Sequence, residues 1–527
     1  MYSALERSSK SSLLNFRPGR KFQAMQSPIA TDRDSRCRSW LVALLLVGLL
    51  VRLIAVPASS GIVHPDEHQQ YMEQSFRLVH GYGAMFWEQR YGMRHALLPD
   101  LLAVFLWIGE MLGLTNPHAL AAVERLIIAL ASYGAMACLA WSLYIRGRKV
   151  AAVAFAFLLA CSVDLVFIQA RVMSENACIG VLALVLTCWP GRPFIAGCLL
   201  GAMMGFRLQT APLAAGFWSL ACWLDLRRAG PHSRRGGTTA RLTAGLIIAL
   251  LVLGWMDYRC YGDWFHSFTA SVVRNWVEGG ASQFGSQPAY NYLVYGSLMM
   301  LRLSIVALYF LFLGARLRLD LAAIAGLFIA AHSLIPHKEA RFLWPLVPIG
   351  CLLLSFGFEA LYERGSYRNT VALAAIMASF GLPSAVRACL FDWRTQPYMA
   401  SCQALAWIGK QPDVRGVLLV DIPRWLSGNY FFLRNDVPIA FCFGLSDDDL
   451  ASEPNWQRKE LNYVVMPKNR VAPQLVQGLE RVHSSGRWAI FRRASISSET
   501  FSLHDASAEM AGMALCQPSD PTASGKK

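Results

Sequence analysis

Apolar residues in this chain come in long runs rather than in strict alternation. The first run, Trp40 to Pro57 (WLVALLLVGLLVRLIAVP), is long enough to be a membrane span at about 1.5 Å per residue. Further runs follow at about 95–114, 118–145, 149–168, 176–190, 193–207, 208–225, 242–257, 290–313, 319–336, 342–362 and 370–389. Several are shorter than the roughly 20 residues of an ideal span. Gly, Pro and charged residues interrupt them, as expected where helices line a polar cavity. The run 95–114 carries Asp100 and Glu110, so it predicts a membrane-dipping or interfacial helix.

The polar stretches between the runs set a topology. Arg146–Lys149, Arg227–Arg241, Arg316–Arg318 and Glu363–Arg368 are basic and fit the cytoplasmic side. The opposite side then receives the segments around Arg171–Glu175, Arg207–Thr210, Asp257–Ala289 and His337–Arg341. These patterns predict a polytopic α-helical membrane protein with about 11 transmembrane helices and a cytoplasmic N-terminus. Residues 1–39 read as a disordered basic cytoplasmic tail and 40–390 as the membrane domain. That tail argues against a cleaved signal peptide. Residues 391–496 read as a small α/β domain outside the membrane, with strands at Val414–Asp421, Leu461–Met466 and Trp488–Arg492. Residues 497–527 are Ser-, Ala- and Pro-rich and read as disordered.

Composition agrees with that outline. Only 16% of residues are charged, 55% are hydrophobic, and mean hydropathy is +0.36. This excludes a disordered chain, a small disulfide scaffold and a basic nucleic-acid-binding protein, so no nucleic-acid partner is expected. The net charge of +15 belongs to the basic loops. The 13 Cys contain no CxxC pair and most lie inside apolar runs. Cys402 and Cys442 lie in the outer segment and have the option of pairing if that compartment is oxidising.

Chemistry concentrates on the side opposite the basic loops. His64-Pro-Asp-Glu67 follows the first span, with Gln70 and Glu73 beyond it; on a helix Asp66, Gln70 and Glu73 share one face. Glu88, Arg90 and Arg94 lie in the same loop. Arg171, Glu175 and Arg207 stand at outer ends of spans, and His337-Lys-Glu-Ala-Arg341 is wedged between two runs. Taken singly, each reads as helix capping or a snorkelling charge. Together on one side they predict a shared polar cavity, because each ionisable group near hydrocarbon costs about 2.5–3.5 kcal/mol. Carboxylates and aromatics suit a sugar, and Arg and Lys suit a phosphate.

The same residues resemble the signatures of glycosyltransferase family 22, lipid-phosphate-mannose-dependent mannosyltransferases of the GT-C superfamily that serve GPI-anchor and N-glycan assembly. His64-Pro-Asp-Glu67, Gly81-Tyr-Gly83 and Trp87-Glu88 are similar to the family's first outer loop, and His337-Lys-Glu-Ala-Arg-Phe342 to its second signature. The resemblance covers about residues 40–390. It implies transfer of mannose, with inversion, from a polyprenyl- or dolichyl-phosphate carrier to a glycan or glycolipid acceptor. Asp66 is then the base, with Glu67 its reserve or orienting partner. His337, Lys338, Arg341, Arg171 and Arg207 are candidates for the donor phosphate. His64, Gln70, Glu73, Glu88, Glu175 and Glu339 complete the cavity, and neither metal nor cofactor is implied. The membrane is the inner membrane in a bacterium or the ER membrane in a eukaryote. A lipid-linked sugar transporter or flippase, using the same cavity without a base, is the alternative.

Overall fold

The computed structural model describes residues 28–59, 61–228, 237–294, 305–365, 368, 371, 398–471 and 475–493. Helix α1 (Pro28–Ala58) carries the first apolar run but begins well before Trp40. Residues 28–39 are therefore helical and not part of a disordered tail. Asp34 helps to fix this extension: it pairs with Lys149 at 2.5 Å and accepts from the Tyr144 hydroxyl at 3.1 Å. Inside α1, Arg52 is buried and donates twice to Gln169 Oε1, at 3.0 and 2.8 Å, so no bare charge meets apolar surroundings.

The expected runs reappear as helices. They are α2 (Glu73–His80), α3 (Leu97–Met111), α4 (Pro117–Ile145), α5 (Lys149–Cys161), α6 (Ser174–Cys188) and α7 (Pro193–Phe206). After them come α8 (Ala211–Arg228), α9 (Gly237–Tyr261), α10 (Ile305–Leu317), α11 (Leu319–Ser333) and α12 (Val347–Glu363). Four described segments are long and apolar enough to cross a membrane: Asp34–Ala58, Pro117–Ile145, Gly237–Tyr261 and Ala340–Glu363. Shorter apolar helices lie between them. The run expected at 370–389 lies outside the described residues, as does part of 290–313. Helix α3 is 15 residues long, about 22 Å at 1.5 Å per residue, which is short for a span. Its Leu98, Leu102 and Leu106 are buried, while Val104, Trp107 and Met111 stay exposed.

Glycine lets two helix pairs touch through their backbones. A Cβ at Gly197 of α7 would collide with the Leu242 carbonyl of α9, and one at Gly245 with the Phe194 carbonyl. Gly314 and Gly357 stand in the same reciprocal relation between α10 and α12, against the Leu353 and Phe310 carbonyls. Small residues at such crossings permit close packing where lipid supplies no hydrophobic drive.

The bundle has two polar ends. At one, Arg148 reaches Glu359 at 2.5 Å and Lys149 meets Asp34. At the other, the start of α6, the end of α7 and the turn at Ala340–Leu346 come together.

Beyond the bundle, α13 (Met399–Ile408) precedes a five-stranded sheet. The strands are β1 (Val417–Val420), β2 (Ile439–Cys442), β3 (Tyr463–Pro467), β4 (Leu479–Ser485) and β5 (Trp488–Arg493), in the order β2-β1-β3-β5-β4. A short helix α14 (Asn429–Leu433) lies between β1 and β2. β1 pairs parallel with β2 and β3, with Leu419 opposite Phe441 and Leu418 opposite Val464; β5 is antiparallel to β3 and β4. Every residue of β1 is buried, as a strand covered on both faces requires. Val417 and Leu419 join a core shared with α2, α3, α4 and α13, while Leu418 and Val420 join a separate core on the opposite face. Cys402 belongs to the first core and Cys442 to the second; both are free thiols.

Candidate active site

The chain leaves α1 and turns at Gly61 (φ 85°) before Pro65. The Asp66 backbone N–H donates to His64 Nδ1 at 3.1 Å, so the His64 proton sits on Nε2, which faces Glu339 Oε2 at 3.4 Å. A π-turn, Glu67–Met72, then leads into α2. Such wide turns insert one extra residue and occur often at functional sites. Here Asp66 and Glu67, neighbours in sequence, meet different partners.

Asp66 meets the second signature. Arg341 Nη1 donates to Asp66 Oδ2 at 2.7 Å and lies 3.4 Å from Glu175 Oε1. Arg341 also grips Glu339 with two bonds, Nε to Oε2 at 2.6 Å and Nη2 to Oε1 at 2.9 Å. His337 Nε2 meets Glu339 Oε1 at 2.9 Å. Arg207 Nη1 lies 2.8 Å from Glu175 Oε1, and the Ser174 hydroxyl donates to Glu175 Oε2 at 3.0 Å. The guanidiniums of Arg207 and Arg341 both lie against the Phe342 ring, at 4.5 and 5.2 Å. Beside them Gln70 donates to Glu88, and Arg94 Nη2 reaches Glu88 Oε1 at 2.7 Å. The first outer loop, α6, the end of α7 and the second signature thus share one cluster.

Exposure separates the two adjacent acids. The Asp66 side chain is 18% exposed and that of Glu339 27%, whereas Glu67 is wholly buried. Burial by itself would raise the Asp66 carboxyl, but Arg341, His64 and Arg94 outweigh it and hold its pKa below the usual value. Burial is likewise outweighed at Glu339, where His337, His64 and Arg341 hold the carboxyl far below its usual value. The His337 pKa is raised, first by its hydrogen bond to Glu339. Glu88 goes the other way, raised by burial despite Arg94. The site therefore presents an ionised, reachable Asp66 beside basic groups already fixed in place.

Three expected residues have other surroundings. Glu67 Oε1 accepts from Arg125 Nε at 2.9 Å, and Arg125 also donates to the Ser59 and Gly61 carbonyls at 2.6 and 2.5 Å. Burial would raise Glu67, but Arg125 and then Arg171 outweigh it and keep it ionised. Arg171 lies 3.7 Å from Glu67, buried, with its charge over the Phe167 ring at 5.0 Å. Lys338 Nζ donates to the Ile335 and Gln287 carbonyls at 2.6 and 2.9 Å, which keeps it on backbone rather than in the carboxylate cluster. Glu73 accepts from the Ala84, Phe431 and Tyr430 backbone N–H groups at 2.8, 2.9 and 3.3 Å. It joins the first outer loop to the sheet domain instead of lining the cluster.

Two residues were missed as site members. Arg94 was read only as one charge of a mixed loop, and Arg125 lies inside an apolar run. A charge in such a run, beside Glu124, is itself the signal that would have found it.

Similarity to known proteins follows the same outline. In fold, the chain resembles the ArnT of Cupriavidus metallidurans solved bound to undecaprenyl phosphate, with a TM-score of 0.62 at 13% identity over 88% of this chain and 99% of that one. The apo form of that protein gives 0.57 at 14% identity, over 86% and 98%. With its apolar helices, this makes the chain a multi-pass membrane protein of GT-C-like fold. More particularly, the chain belongs to the Alg9-like mannosyltransferase family, whose model matches residues 43–416. Relatives include GPI mannosyltransferase 3 of Yarrowia lipolytica (strain CLIB 122 / E 150), 28% identical over 54% of this chain and 56% of that one. Mannosyltransferase APTG1 of Arabidopsis thaliana is 25% identical over 58% of this chain and 56% of its own length. The matched segment spans little more than half of these relatives.

Proposed function

We propose that this protein is an inverting membrane mannosyltransferase. It takes mannose from a polyprenyl- or dolichyl-phosphate carrier and places it on a hydroxyl of a glycan or glycolipid. One observation carries the reading: Arg341 and Asp66, 275 residues apart, bond at 2.7 Å and so join the two signatures into one site. The neighbour crystallised with undecaprenyl phosphate supports a lipid-linked donor by its likeness of fold.

In this reading the acceptor hydroxyl attacks the anomeric carbon as its proton passes to Asp66. The bond to the lipid phosphate breaks, and that phosphate leaves as the anion. A phosphate is already a good leaving group, so it needs positive charge nearby rather than a second acid. Arg341, Arg207 and His337 supply that charge at the cluster, and Arg171 lies behind Glu67. Glu339 and Glu175 hold the two arginines in place. Glu67 acts through Arg125 as a positioning residue, and Lys338 fixes the turn before the second signature.

The reading includes about eleven spans, a membrane domain over 40–390 and a domain outside the membrane over 391–496. The N-terminus is cytoplasmic, and the membrane is the ER or, in a bacterium, the inner membrane. The test is incubation of purified full-length protein with polyprenyl-phosphate mannose and glycolipid acceptors, with products read by mass spectrometry. A mannosylated acceptor that disappears with Asp66→Asn is expected. Donor movement across a vesicle membrane without any product would favour a flippase and overturn the proposal.

A further inference from the structure

Away from Asp66 and Arg341, a cavity of about 380 Å³ opens between the N-terminal end of α4 and the sheet domain. None of its lining residues belongs to the cluster described above. His118 lies on the α4 side, Gln403, Trp407 and Lys410 on the α13 side, and His483 on β4. The lining holds one Lys and two His and no carboxylate. Its size is in the range of small-molecule sites.

Hydrogen bonding within the wall uses acceptors and leaves donors. Asn116 Oδ1 is taken by the His118 backbone N–H at 3.0 Å. Gln403 Oε1 is taken by the Ser485 hydroxyl at 3.1 Å, which leaves the Gln403 amide NH2 as a donor. Lys410 is exposed and has no carboxylate partner among the described residues. The Trp407 and His483 rings stack nearly parallel, 6° apart with centroids at 4.6 Å, and give one flat wall. A surplus of donors and positive charge suits a phosphate. The α4 helix is long and apolar enough to span, so its end places the cavity at the membrane boundary.

We propose that this cavity binds the phosphorylated headgroup of a membrane lipid, with Lys410 on the phosphate and the Trp407–His483 wall against the rest of the headgroup. The test uses the full-length protein in maltoside detergent with a photoactivatable phosphatidylinositol, the labelled peptides being mapped by mass spectrometry. Labelling is expected in peptides containing His118, Lys410 and His483. Lys410→Glu should lower it about tenfold, the size of one charge-assisted hydrogen bond, and His483→Ala should lower it severalfold. Both positions are exposed, and a melting curve verifies that each variant is folded. Protection by excess inositol 1-phosphate would mean that the phosphate group alone suffices. Labelling that resists this competitor yet falls with Lys410→Glu would mean that the phosphate must arrive on a lipid. Unchanged labelling in folded Lys410→Glu, or equal labelling by a photoactivatable diacylglycerol lacking phosphate, would overturn the proposal. The readout is labelling, so its failure is distinct from failure to transfer mannose.

Discussion

Replacing Asp66 and Glu67 one at a time by their amides separates chemistry from architecture. Asp66→Asn removes the base, and general-base action is worth about 10²–10⁴ in rate, or roughly 3–5 kcal/mol of barrier. Its structural cost is small. The side chain is partly exposed, the new amide oxygen can still accept from Arg341, and Arg341 keeps its two bonds to Glu339. A stability loss of about 1 kcal/mol is expected. Glu67→Gln does the reverse. It leaves Arg125 charged and buried, with carbonyls of Ser59 and Gly61 but no carboxylate on its Nε. Breaking such a pair costs about 3–5 kcal/mol. The assay is thermal melting in detergent together with transfer rate per folded molecule. Asp66→Asn should melt near wild type and transfer at least about a hundredfold more slowly. Glu67→Gln should melt far lower, with its folded fraction still transferring. The opposite pairing, Glu67→Gln stable but inactive and Asp66→Asn active, would refute the assignment and make Glu67 the base.

Lys338→Met should lower thermal stability by about 1–3 kcal/mol, through loss of its two short carbonyl bonds, and leave the donor KM unchanged; a raised KM at normal stability would return Lys338 to the phosphate. Gly245→Leu should push α7 and α9 apart and reduce the yield of folded protein, read by size-exclusion chromatography; a normal profile would contradict the backbone contact at Phe194. Burial raises Glu73 to about 7 despite its three N–H donors. Its folded pKa is then above the unfolded one, so the folded state binds the extra proton and stability falls as pH rises from about 4.5 to 7. Hydrogen exchange at Tyr430 and Phe431 should quicken across that window, and an unchanged rate would count against it. Single-cysteine labelling should place positions 64 and 337 on one face of the membrane and 234 on the other; opposite faces for 64 and 337 would dismantle the site.

The apolar runs told most of the helices, because a helix in lipid must be apolar over most of its length. The two signatures told the cluster. What the chain did not disclose depends on turns. Asp66 and Glu67 are adjacent acids, and only the π-turn after them explains why one meets Arg341 and the other Arg125. Lys338 and Glu339 share a signature, yet extended backbone at Glu339 (φ −130°, ψ 145°) gives them different partners. Two strands escaped for different reasons. β4 (LERVHSS) is a polar edge strand with a bulge between Arg481 and His483, so it lacks apolar alternation. β2 has only four residues after Pro438, too few to show a period. Glu73 was placed in the cavity because its helical face matched Asp66, and its backbone partners lie in a domain with no motif to point at it.

The attachment of Glu73 to α14 also orders events during synthesis. Tyr430 follows Glu73 by 357 residues, which at about 5–20 residues per second takes roughly 20–70 s to translate. Throughout that interval the carboxylate has only Ala84 of its three backbone donors. The first outer loop therefore gains its final anchor only when the sheet domain arrives. A ribosome that stalls before residue 430 would release a chain holding both signatures but lacking the clasp on the loop that bears Asp66. Competence of the site is thereby tied to completion of a segment that contributes no residue to its chemistry.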